Sequence, residues 1–123
     1  ELALPRKGAE PVAYIVICLD GSLAENPAPY QRDVGIVAQT MLLAAAEMGL
    51  NGCMIGSFAA GALRETLGLP EAIKPQLLLA LGEGTDRIVI TDVGEDGSTT
   101  YYRDAEDTHY VPKRTLEQLI LNP

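Results

Sequence analysis

The stretch "YQRDVGIVAQTMLLAAAEMG", residues 30–49, limits the possible folds more than any other part of the chain. Val34, Val37, Ala38, Met41, Leu42 and Ala45 recur at i, i+3, i+4 spacing, which predicts a helix from Gln31 to Met48. Gly49 supplies the left-handed residue at which helices often stop. Ile36 and Leu43 fall off the stripe, so the helix is apolar over most of its circumference. A helix of that kind is buried in a core or at a subunit interface. Gly35 and the alanines Ala44, Ala45 and Ala46 leave room for another backbone to come close.

Strand-length apolar runs lie on either side of this helix. "VAYIVICL" (residues 12–19) is β-branched and lacks alternation, which predicts a central strand covered on both faces. "PQLLLALGEG" (residues 75–84) predicts a second buried strand. Between them "AAGALRETLGLP" (residues 59–70) reads as a short helix ended by Gly68 and Pro70. Further on, "RIVITDV" and "STTYY" flank Asp96-Gly97, a hairpin-turn signal. Residues 113–120 read as a short amphipathic helix after Pro112. Residues 1–11 form a loose lead-in, and residues 20–29 a loop rich in turn formers.

A chain of 123 residues is long enough for one domain, residues 1–123, with a real core. Its formal net charge of −8 argues against unaided binding to nucleic acid or an anionic membrane, since both need a basic face. Eight acids against two bases lie between Glu83 and Asp107, the composition of a solvated hairpin. Cys18 and Cys53 sit in apolar runs and form no CxxC pair, so they read as buried thiols of a reducing compartment, the cytoplasm. The apolar stretch around residues 34–50 is interrupted by Gln39, Thr40 and Glu47 and is short for a membrane span. The opening "ELALPRKGAE" is too polar for a signal peptide, and a start at Glu1 suits a piece trimmed from a longer protein.

With one histidine, His109 in a polar segment, neither a hydrolytic triad nor a multi-histidine metal site is expected. "GSFAAG" and "GEGTD" match no phosphate-cradling motif. No catalytic acid, base, nucleophile or metal ligand is assigned. Cofactor-borne hydride transfer suits such an inventory, because the protein then supplies apolar faces, backbone hydrogen bonds and an anchor for charge. "EMGLNGCMIGSF" (residues 47–58) is either a glycine-rich turn or a cofactor-facing loop, since glycine lets backbone approach a flat ring. Lys113 and Arg114 are either a solvated flank or an anion site, because a cation ahead of a helix opposes its dipole.

The ordered series "DVGIVAQTMLLAAAEMGLNGCMIGSF", "LRETLGLP", "LLLALGEG" and "VPKRTLEQLI" resembles the C-terminal half of the FMN-dependent nitroreductase family. The resemblance runs through Asp33, Gly35, Gln39, Glu47, Gly49, Gly52, Cys53, Gly56 and Pro112-Lys113-Arg114. It implies an α/β (α+β) chain with a three-layer α/β/α fold, a central mostly antiparallel sheet, and truncation at the N-terminus. It implies an intertwined homodimer built on the helix from Gln31 to Met48, with FMN at the interface. Met54, Ile55, Gly56 and Ser57 would face the isoalloxazine, and Lys113 and Arg114 the phosphate. Electrons would pass in ping-pong fashion from NAD(P)H through flavin N5 to a nitroaromatic, quinone or similar small aromatic acceptor. The family's "RRS"-type N-terminal motif is missing, as is the Asn/Gln/Pro segment given by the partner subunit. That departure implies a fragment, one half of a split protein or a shortened homologue, and it leaves a second reading: a non-catalytic dimerising α/β module.

Overall fold

The computed structural model describes residues 8, 10–23, 26 and 28–121. Parts of the lead-in and of the 20–29 loop (residues 1–7, 9, 24, 25 and 27) lie outside them. The chain divides into two compact units, Glu1–Gly84 and Thr85–Pro123. Helices and largely antiparallel strands mix in an α+β arrangement, with the strands distributed over two three-stranded sheets.

In the first unit the order of elements is β1 (Ala13–Asp20), α1 (Gln31–Glu47), β2 (Asn51–Ile55), α2 (Ala60–Thr66) and β3 (Ile73–Gly82). The sheet order is β1-β3-β2, antiparallel throughout. The central strand is therefore β3, and β1 stands at an edge with its side chains half-buried or exposed. This corrects the expectation for residues 12–19. An unbroken apolar run reports what side chains need and does not reveal which strand has two neighbours. Leu79 pairs with Ile15 on one side and Met54 on the other and is wholly buried, worth about 1.5–3 kcal/mol of transfer free energy. The register slips between Ile17 and Cys18, where Pro75 enters the ladder without an N–H to give.

Helix α1 forms as its periodicity predicts. Ala38 and Ala45 are buried, and Leu42 between them is half-buried, making the stripe that packs on β2 and β3. The helix ends on Gly49 at φ +81, with Leu50 N–H donating to Ala45 O and Gly49 N–H to Ala46 O. Helix α2 closes in the same manner on Gly68 at φ +62. Ile36 and Leu43, off the stripe of α1, are 65% and 61% exposed.

The second unit holds β4 (Ile88–Asp92), β5 (Tyr102–Arg103), β6 (His109–Lys113) and α3 (Leu116–Leu119). The turn at Asp96-Gly97 forms, with Gly97 at φ +70 and its N–H bonded to Gly94 O. The expected hairpin across it does not form. The sheet order is β4-β6-β5, so β6 enters between the two flanking strands, parallel to β4 and antiparallel to β5. The hairpin that does form joins β5 to β6 through Asp104, whose carboxylate accepts the N–H groups of Glu106 and Thr108 at 3.1 and 2.8 Å. Stacking of Tyr102 on Tyr110, centroids 5.0 Å apart, supports the pair. Among the described residues, no helix is long and apolar enough to cross a membrane.

Candidate functional site

Met54 and Ile55 end strand β2, and Gly56 and Ser57 follow it. Residues 51–55 are thus extended and laddered onto β3, not the loop or turn that their glycines and the preceding helix suggest. The strand begins where Asn51 Oδ1 accepts the Gly84 N–H at 3.0 Å, and it pairs Gly52 with Leu81, Cys53 with Ala80 and Ile55 with Leu78. Cys53 is exposed, against expectation, because β2 is an edge strand. Cys18 is half-buried, and burial raises the pKa of its thiol.

The end of β2 is open. Met54 is 39% exposed and Ile55 half-buried. No atom lies within 4 Å of where a Cβ on Gly56 would stand. Among the described residues, the backbone N–H groups of Gly56 and Ser57 donate to no acceptor. Two free donors beside an uncluttered glycine fit the edge of a flat, acceptor-bearing ring.

The second unit carries Lys113 and Arg114. Lys113 is the last residue of β6, opposite Asp92, and Arg114 precedes Thr115. The expected helix over 113–120 is shorter, because Thr115 is its N-cap: its hydroxyl accepts the Gln118 N–H while the Gln118 side chain accepts the Thr115 N–H. The spacing Thr-x-x-Gln was the sequence signal for that start. Lys113 and Arg114 are exposed, and neither has an ion-pair partner among the described residues. They stand on the second unit and Met54–Ser57 on the first.

The other charged cluster of the second unit is internally satisfied. Arg103 donates to Asp86 at 2.7 Å and to the carboxylate and carbonyl of Asp107 at 3.3 and 3.0 Å. The Arg103 hydrogen bond holds the Asp86 carboxyl below the usual carboxylate range. Desolvation works to raise the Asp104 carboxyl, but hydrogen bonds from Thr108, Tyr110 and Glu106 together hold it low, and the same bond raises the Tyr110 phenol. His109 is not in an exposed polar segment. It lies on the central strand, edge-on to Tyr101 with centroids 5.2 Å apart, and its Nε2 is buried without a hydrogen-bond partner among the described residues. No group of three or more potential metal ligands occurs among the described residues.

The fold is α+β, and the end of β2 is open, with two backbone donors lacking acceptors among the described residues. The sequence model of the nitroreductase family matches residues 11–83, more than half of the 123 residues and every strand of the first unit. The chain belongs to the nitroreductase family, and so to proteins of the flavin oxidoreductase kind. Met54–Ser57 lie inside the matched residues; Lys113 and Arg114 lie outside them.

Proposed function

We propose that the chain is an FMN-dependent oxidoreductase of the nitroreductase type, with Met54, Ile55, Gly56 and Ser57 along the isoalloxazine and Lys113 and Arg114 at the phosphate. The observation that carries the reading is the open end of β2: free N–H groups at Gly56 and Ser57 beside a glycine that nothing crowds. A bound flavin would supply the redox chemistry, ping-pong hydride transfer through N5 between NAD(P)H and a nitroaromatic, quinone or similar acceptor. The chain's own residues bind and orient. Met54 offers an apolar, polarizable surface for a ring, and the two N–H groups offer hydrogen bonds to ring nitrogen and oxygen. Lys113 and Arg114 bring two cations that have no ion-pair partner among the described residues and are suited to a phosphate.

A homodimer through the helix from Gln31 to Met48, working in the cytoplasm, completes the proposal. It is supported by the exposure of Ile36, Leu43, Val37 and Met41 on α1, since an apolar helix face is rarely left in water. The same face supports the second reading, a dimerising module without a working flavin site.

Titration of the purified chain with FMN separates the two. The enzyme predicts saturable quenching of flavin fluorescence and a thermal shift, about 2.7 kcal/mol of added stability at a hundredfold excess over Kd. Replacing Lys113 and Arg114 with alanine should bring FMN affinity down to that of riboflavin, which lacks the phosphate. A chain that stays colourless and gains no stability with excess FMN sinks the enzyme reading. Sedimentation at micromolar concentration tests the dimer, and a monomer removes it.

A further inference from the structure

A side chain at Gly52 would run into the ends of two leucines and a backbone carbonyl. A Cβ there would stand 2.9 Å from Leu81 Cδ2, 3.3 Å from Ala80 O and closer still to Leu42 Cδ2, whereas carbon atoms pack at about 3.5–4 Å. Leu42 belongs to the stripe of α1 that faces the sheet, between buried Ala38 and Ala45. The missing side chain therefore lets β2 lie directly against α1. Side chains alternate along a strand, so Gly52 and Met54 share one face, and the position of Gly56 follows two residues on, about 6.6 Å further along. The neighbouring residue fixes the strand lengthwise: Asn51 Oδ1 holds the Gly84 N–H, and a Cβ on Gly84 would stand 2.8 Å from the Asn51 side chain.

We infer that Gly52 is a positioning residue for the ring-binding edge, setting the height above α1 at which Met54 and the Gly56 and Ser57 N–H groups are presented. The inference rests on the flavin reading of that edge. Two consequences follow from the geometry. A methyl at residue 52 lifts β2 off α1 or drives Leu42 and Leu81 aside, and either movement displaces Met54, two residues later, and the Gly56 and Ser57 donors, four and five residues later. Shortening Leu42 removes the obstruction, so damage at residue 52 is repairable from the helix.

The experiment measures FMN affinity, the visible circular dichroism of bound flavin and thermal unfolding for wild type, Gly52→Ala, Leu42→Ala and the double variant, all in the full chain. Gly52→Ala is expected to weaken FMN binding by about tenfold or more and to change the dichroic band, as displacement of a binding group commonly does. Leu42→Ala, with β2 still seated, should stay within about threefold of wild type although it loses thermal stability. The double variant should recover the affinity and the band. If Gly52→Ala does not fold, the double variant alone decides, by folding and binding FMN or by folding without binding it. Undiminished binding in Gly52→Ala overturns the inference. So does weak binding in a folded double variant, or equal losses in both single variants. A wild type that does not bind FMN removes the flavin reading itself, and this inference with it.

Discussion

Arg103 on β5 reaches over its cross-strand partner His109 on β6 and places Nη2 2.7 Å from Asp86 Oδ2, just ahead of β4. Its Nη2 passes 3.5 Å from His109 Nδ1 on the way. One side chain thus ties together both edges of the second sheet, which have no hydrogen bonds to each other.

The tie sets a pH dependence. The folded-state pKa of Asp86 is depressed, so its contribution is complete above the unfolded carboxylate value, about 3.9, and is lost as pH falls through the lower folded value. Asp104, also depressed, adds to the same limb. Unfolding midpoints taken from pH 6 downward should fall below about pH 4 in the wild type. The Asp86→Asn chain should begin less stable and lose less over that window. An acid limb of equal depth in both would remove Asp86 from the account.

Leu79→Ala tests whether the centre of the first sheet lies where the register puts it. Leu79 is 0% exposed and sits between Ile15 and Met54. Removal should cost about 2–5 kcal/mol in denaturant unfolding, as truncation of a buried leucine does. Truncation of Leu43, 61% exposed, should cost a small fraction of that in the monomer.

Gly56→Val separates binding from folding at the open end of β2. Nothing lies within 4 Å of the new Cβ, and Gly56 is not among the glycines with positive φ, so the fold tolerates the change. Stability should stay within about 1 kcal/mol of wild type. FMN affinity should drop by about tenfold or more, because the branched side chain occupies the approach to the two N–H groups. Unaltered FMN binding would move the flavin edge elsewhere.

The thiols should react in order. Cys53 is exposed on the edge strand, while Cys18 is half-buried with its pKa raised by burial, so it presents less thiolate. An aromatic disulfide reagent at neutral pH should show one fast and one slow equivalent per chain, and Cys53→Ser should abolish the fast phase. Loss of the slow phase instead would contradict the burial pattern.

Helix α1 and its glycine stop were legible to the residue pair, because 3.6-residue periodicity and a left-handed cap are local properties. Strand identity was legible for β1 and β3; strand position was not, since neighbours in a sheet are chosen by contacts distant in sequence. Residues 51–55 read as a loop because Gly52, with Gly49 and Gly56 on either side, masks a short edge strand whose extended form comes from pairing with β3. The displaced hairpin failed for a related reason. Asp96-Gly97 does turn the chain, but Tyr110 and Val111 pair more extensively with β4 than β5 can, and the Asp104 turn delivers them there. Of the candidate site, Met54–Ser57 were found through glycine chemistry, whereas the seat of Gly52 needed the helix and sheet together.

The insertion of β6 between β4 and β5 also dictates an order of assembly. β5 and β6 are joined by one tight turn and can meet early, at small loop-closure cost. β4 has no partner among the strands made before it within its sheet, and its parallel pairing must wait for His109–Lys113. On a growing chain, Ile88 and Ile90 therefore emerge as an unpaired strand and stay so until the last strand arrives. Any delay in synthesis between residues 92 and 113 lengthens that exposure, the interval in which an unpaired strand edge is open to association with other chains.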